Sequence, residues 1–97
     1  MSYADLLLQD ARLVILRVVN EMPSQRANSS VLCSILDEKF GHALSRVEVK
    51  EQLRWLEERE LVEIEEAGAV LLATLREKGE RVVRGRVTVE GVKRPRI

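Results

Sequence analysis

The segment between Tyr3 and Met22 carries more apolar surface than one helix can bury against one neighbour, and this limits the folds open to the chain. Its residues follow a 3.6-residue period, with Leu7, Leu8, Ala11, Val14, Ile15, Val18 and Met22 on one side of the wheel. Ser2 and Asp5 stand at the spacing of a capping box that would start such a helix. Leu6, Leu13 and Leu16 fall outside the stripe. A second neighbour must cover them, either the chain's own C-terminal helix or the same helix of a second copy in a homodimer. A joint near Asp10 would instead divide the segment into two helices.

Composition narrows the class. At 97 residues the chain has room for a single core, and 45% hydrophobic with 33% charged residues is a globular balance. Tyr3, Phe40 and Trp55 are the only aromatics, so the core must be aliphatic. No apolar run reaches the roughly 20 residues of a membrane span, and no cationic start leads into a signal-peptide core. These features point to the cytoplasm and away from a membrane. Cys33 and His42 are each alone, which excludes an internal disulfide and argues against a structural metal site. Cys33 reads as a small buried hydrophobe and His42 as a surface or turn hydrogen-bonding residue.

Further along, Pro23 to Ala27 interrupt the helical pattern. Asn28, Ser29 and Ser30 offer caps before Val31, Leu32, Ile35, Leu36 and Phe40 resume it, and Gly41 ends the second helix. Ser45 can cap a third helix, over about residues 45–58. Val49, Leu53 and Leu56 form its buried side, while Arg46, Lys50 and Arg54 recur every four residues as an outer basic ridge. Val62 and Ile64 then alternate with Glu63 and Glu65, and Ala67-Gly68 can turn the chain into a second strand, Ala69 to Leu75. Glu77 to Arg84 reads as a short last helix with Val82 and Val83 inward, closed by Gly85. The expected organisation is one mainly α domain with a small β-hairpin over residues 1–85, followed by a basic, extended tail over 86–97.

The zero net charge is unevenly distributed. Residues 1–75 carry eight Lys/Arg against thirteen Asp/Glu, whereas residues 76–97 carry eight against three. A tail of this sign can meet nucleic acid, an acidic partner, the acidic body of its own chain, or solvent alone.

Three helices, a hairpin and a last helix, joined by short connections, form the layout of a winged helix-turn-helix domain. Leu53-Arg54-Trp55-Leu56-Glu57-Glu58-Arg59-Glu60-Leu61-Val62 resembles the end of a recognition helix running into the wing, and Leu75-Arg76-Glu77-Lys78-Gly79 the junction after it. Asp10-Ala11-Arg12-Leu13-Val14-Ile15-Leu16 resembles the opening helix of ArsR-type regulators. Ala11 and Arg76 depart from the Pro and Thr often found there. Arg76 cannot cap a helix as Thr does, which leaves that task to Thr74 or water.

The whole chain resembles a family of small winged-helix proteins encoded by Mu-like transposable phages and prophages. The matching segments include Met1-Ser2-Tyr3-Ala4-Asp5, Leu8-Gln9-Asp10, Arg12-Leu13-Val14-Ile15-Leu16-Arg17, Gly41-His42, Ser45-Arg46, Trp55-Leu56, Ala73-Thr74-Leu75 and Gly91-Val92-Lys93-Arg94-Pro95. The resemblance implies a phage-encoded protein of ArsR or MarR fold type and brings no established activity with it. No metal-sensing motif carries over, because Cys33 lacks a paired thiolate.

No Ser/His/Asp or Cys/His pattern, phosphate loop or ligand cluster is present, so neither an enzyme nor a cofactor is expected. Two functions remain. In the first, the protein is a DNA-binding transcriptional regulator whose third helix enters the major groove with Ser45, Arg46, Lys50 and Arg54. Arg84, Arg86, Lys93, Arg94 and Arg96 would then contact phosphates of the double-stranded DNA. Glu63, Glu65 and Glu66 oppose this by placing carboxylates in the wing, and Arg54 can pair instead with Glu51 or Glu58 along its helix. In the second, the protein is an adaptor that uses Trp55, off the core side of the third helix, and the leucines of helix 1 as interface anchors.

Overall fold

In the computed structural model, which describes residues 2–96, the chain runs through four helices and three short strands. Met1 and Ile97, at the ends of the expected domain and tail, lie outside the described residues. The elements are α1 (Tyr3–Glu21), β1 (Arg26–Asn28), α2 (Ser29–Phe40), α3 (Arg46–Glu58), β2 (Val62–Ala67), β3 (Val70–Leu75) and α4 (Glu77–Val83). The strands form one antiparallel sheet in the order β1-β3-β2. No helix among the described residues is long and apolar enough to cross a membrane.

Helix α1 is continuous, without a joint at Asp10, and starts with the expected reciprocal bonds between Ser2 and Asp5. Met22 leaves the helix with extended backbone because Pro23 disfavours helical geometry in the residue before it. A single 3-10 turn over Pro23–Gln25 follows, with Ser24 and Gln25 at positive φ. The Gln25 amide holds this turn by donating to Asn20 Oδ1 at 2.8 Å and to Glu80 Oε2 on α4 at 2.9 Å. The turn delivers β1 to the free edge of β3, making a three-stranded sheet where the sequence pattern indicates a two-stranded hairpin.

Between Ala11 and Val19, α1 is buried at every position except Arg17 and the partly exposed Arg12. It is enclosed by α2 and α4 and by the sheet. Leu13 and Leu16, expected as a surplus for a second neighbour to cover, are buried within the chain at 2% and 0% exposure. Their cover includes the chain's own C-terminal helix, which removes both from any dimer seam. The sheet closes the core with Ala27, Val62, Leu71, Ala73 and Leu75, and its other face stays more exposed.

Most caps follow from residue type. Asn28 Oδ1 accepts from Val31 N–H at 2.8 Å, and Gly41, at φ +70°, ends α2. Glu60 ends α3 in the same left-handed region, where its N–H reaches Glu57 O and that of Leu61 reaches Leu56 O. The hairpin turn consists of Gly68 and Ala69, one residue later than expected, because Ala67 pairs with Val70. Arg76 precedes α4 without a side-chain cap, and its N–H goes to Leu61 O at 3.0 Å; Thr74 takes no capping role.

Gly79 packs α4 against Leu61, between α3 and β2, and against Leu75 at the end of β3. A Cβ at this position would collide with Leu61 O and lie 2.7 Å from Leu75 Cδ1. Gly79→Ala should therefore destabilise the protein by about 2 kcal/mol in urea unfolding, because overpacking outweighs the better helix propensity of alanine. A gain in stability, as at an open helical glycine, would contradict this packing.

Candidate functional site

The outer face of α3 is held in place by its own start and by its buried side. Ser45 Oγ accepts from Glu48 N–H at 3.1 Å, and Glu48 Oε1 accepts from Ser45 N–H at 2.9 Å. These bonds hold the Glu48 carboxyl below its ordinary value. Val49, Gln52, Leu53 and Leu56 face inward. Arg46, Lys50 and Arg54 follow one line along the outside, with Val47 beside them at 67% exposure.

The ridge meets the hairpin. Lys50 Nζ donates to Ala69 O at 2.6 Å in the turn, and Arg54 bonds Glu57 at 3.1 Å and Glu66 at 3.4 Å. The expected partners Glu51 and Glu58 are not used by Arg54. Glu57, three residues on, lies on its side of the helix, and β2 brings Glu66 across from the hairpin. No ion pair or hydrogen bond holds the Arg46 side chain among the described residues. Strand alternation separates the three wing carboxylates, with Glu63 and Glu65 on the face opposite Val62 and Ile64, and Glu65 reaching Arg26 at 4.0 Å. Glu66 alone of the three reaches an α3 side chain, lining with Val47, Lys50, Arg54, Trp55 and Val70 a groove of about 520 Å³.

Trp55 is not an open interface anchor. Two guanidinium groups stack on its indole, Arg12 at 3.8 Å and Arg59 at 3.6 Å from the ring centroid. Arg12 also donates to Gln52 Oε1 at 2.8 Å and to Gly91 O at 2.9 Å, which ties α1, α3 and the C-terminal segment together. Gly91 lies at φ +95°, and a Cβ there would come within 2.7 Å of Trp55 Cη2. Both constraints require glycine.

Residues 86–96 contain no helix or strand, yet they are docked on the body. Val92 is buried, Lys93 N–H reaches Gln9 O at 3.1 Å, and Lys93 Nζ lies 3.3 Å from Asp10 Oδ1. Lys93, a candidate phosphate contact, is thus paired within the chain. Arg84 is paired with Glu80 at 3.8 Å, whereas Arg86, Arg94 and Arg96 have no side-chain ion pair among the described residues. His42 is buried at 9% exposure rather than on the surface, with Nε2 2.7 Å from Asp10 Oδ2. Cys33 is half-buried and donates to Leu44 O at 3.2 Å. At the other end of α1, Tyr3, Leu6 and Leu7 are exposed at 87%, 50% and 56%, so Leu6 alone of the three off-stripe leucines remains available to a partner.

The described residues form a small domain of four helices and a three-stranded antiparallel sheet that presents a line of three cations on α3, a helix that also carries four carboxylates, beside a hairpin. The chain is 44% identical over 92 residues to a protein of Escherichia phage Mu described as "Uncharacterized protein gp26", covering 95% of this chain and 94% of that one. It is also 46% identical over 65 residues to an "Uncharacterized protein" of Haemophilus influenzae, covering 67% of this chain and 62% of that one. The chain belongs to the family of the Mu phage protein. No family model and no solved structure matches it.

Burial pushes the Asp10 carboxyl up, but the hydrogen bonds and charges of His42 and Lys93 bring it net below its ordinary value of 3.8. A lowered folded value contributes stability that is present above the unfolded value and is lost as pH falls through the folded one. Asp10→Asn should lower stability at neutral pH and flatten the stability-versus-pH slope below about pH 4, measured by urea unfolding across that range. An unchanged acid slope would mean that Asp10 does not carry this linkage.

Proposed function

We propose that this protein is a winged helix-turn-helix transcriptional regulator of phage type that binds double-stranded DNA with α3 in the major groove. The observation that carries this reading is the placement of Arg46, Lys50 and Arg54 in one line along an N-capped helix flanked by a hairpin, Arg46 exposed and the other two half-buried. The order α2, turn, α3, hairpin supports it, being that of a helix-turn-helix with one wing. Four-residue spacing separates the three cations by about 6 Å each along the helix axis, within reach of base edges and phosphates on one groove wall. The bonds of Lys50 to Ala69 O and of Arg54 to Glu66 are exposed, and an exposed ion pair such as Arg54–Glu66 contributes little, about 0–1 kcal/mol. Phosphates can replace them. Glu63 and Glu65 lie on the opposite sheet face, which weakens the electrostatic objection raised by the acidic wing. Arg86, Arg94 and Arg96 remain available for sequence-independent attraction.

A second reading keeps the same frame as a protein-interaction adaptor without sequence-specific DNA binding. Its support is the exposed Val47 beside Val70 in a groove edged with carboxylates, a mixed surface better suited to a peptide than to a phosphate backbone. Duplex titration at several salt concentrations separates the two, because an adaptor binds none.

Under the regulator reading, Arg46→Ala should cost about 1–3 kcal/mol on a specific site and much less on random duplex, whereas Lys50→Ala and Arg54→Ala should weaken specific and random duplexes alike. Arg94→Gln and Arg96→Gln should weaken all duplexes alike and lower the salt slope by about one unit each. Mobility shifts with DNA flanking the protein's own gene provide the measurement. Failure of the intact protein to bind any duplex at low salt would leave the adaptor.

A symmetric homodimer accompanies the regulator reading, because a two-fold pair presents two recognition helices to two half-sites. The exposed first turns of α1, with Tyr3, Leu6 and Leu7, offer the contact surface. Light scattering should give a dimer for the wild type and a monomer for Leu6→Glu combined with Leu7→Glu. A wild-type monomer would remove the seam.

A further inference from the structure

We infer that the groove between α3 and the β2–β3 hairpin is the seat of one DNA backbone phosphate, held by Lys50 and Arg54, and that Glu66 fills it in the free protein as an internal competitor. The inference rests on the DNA-binding reading above and names both a contact of that site and the residue that tunes it.

Arg54 is fixed from two directions. Glu57 takes one nitrogen from within the helix at 3.1 Å, and Glu66 takes another across the groove at 3.4 Å. The first bond orients the guanidinium and the second occupies part of the fork that matches a phosphate. Lys50 makes no ion pair among the described residues; its one hydrogen bond goes to the neutral carbonyl of Ala69 and leaves its charge uncompensated. The two cations therefore converge on the hairpin tip, where Glu66 is the one carboxylate supplied by the hairpin. The other carboxylates at the groove, Glu51 and Glu58, are on the helix, and Glu58 is 3.8 Å from Arg59.

Glu66 suits the role because it is weakly held. Its side chain is 78% exposed, so it can swing away when a phosphate arrives, and exposed pairs of this kind separate at little cost. Its position in β2 also distinguishes it from its neighbours. Glu63 pairs in register with Thr74 on the outer sheet face, and Glu65 on that face reaches Arg26. Removing the charge of Glu63 changes the net charge as much as removing that of Glu66, but leaves the groove untouched.

This contrast provides the test. Fluorescence anisotropy with a labelled duplex of scrambled sequence compares the wild type, Glu66→Gln and Glu63→Gln at low and moderate salt. Glu66→Gln should bind about five-fold more tightly at low salt, with the gain shrinking as salt rises, while Glu63→Gln changes affinity much less. In an Arg54→Gln background, Glu66→Gln should lose most of its gain, because the cation with which it competes is gone. Equal effects of the two single variants, or full gain without Arg54, would overturn the seat while leaving DNA binding intact. No binding by any of the proteins at low salt would overturn the DNA-binding reading and this inference with it.

Discussion

A helix that is apolar almost all round must be enclosed, and the middle of α1 imposes that requirement on the rest of the chain. From Ala11 to Val19 only Arg17 faces water freely, so helices before and after the hairpin, together with the sheet, have to close around α1. The chain meets this demand by returning after the hairpin as α4. It then lays residues 86–96 back along α1, with Val92 as their buried contact. Arg12 stands where the apolar section ends, and its long side chain joins α1 to Trp55, Gln52 and Gly91 O.

Enclosure of α1 also determines what remains exposed. Helix α3 packs through Val49, Leu53 and Leu56, and Arg46, Lys50 and Arg54 run obliquely along the flank of that buried side, Arg46 exposed and the other two half-buried. The hairpin continues from the end of α3 and folds beside it, so its tip and the ridge become one surface. Strand alternation then divides the wing carboxylates, two away from the ridge and one onto it. The site is thus a shallow groove in which Glu66 is the one carboxylate that the hairpin brings to the cations of α3, beside Glu51 and Glu58 of the helix itself.

Local rules made the helices, their caps and the hairpin legible. Ser2, Asn28, Ser45 and Gly41 act at the ends their residue types imply, and alternation in β2 gave the strand. Strand β1 escaped because three residues, Arg26–Asn28, are too few to express a period and follow a turn at unusual φ. The enclosure of Leu13 and Leu16 depends on where α4 returns, which no wheel contains. For Trp55 half of the signal was present, since Arg59 lies four residues on, within reach on one helix face. Arg12 reaches the indole only through the tertiary fold. Tail docking was concealed by composition, because a basic, Gly- and Pro-containing end has the same pattern whether it is solvated or held by Asp10 and the backbone of α1.

The central claim is that the ridge of α3 and the hairpin tip together form a duplex-binding surface. Titrating isotopically labelled protein with duplex DNA at low salt, while following every backbone amide by NMR, tests it directly. The account predicts that signals from Ser45 to Arg54 and from Glu66 to Val70 move together, while those of Glu63, Glu65 and the exposed first turns of α1 stay in place. Changes confined to the outer sheet face or the start of α1, or no changes with duplex in excess, would contradict it.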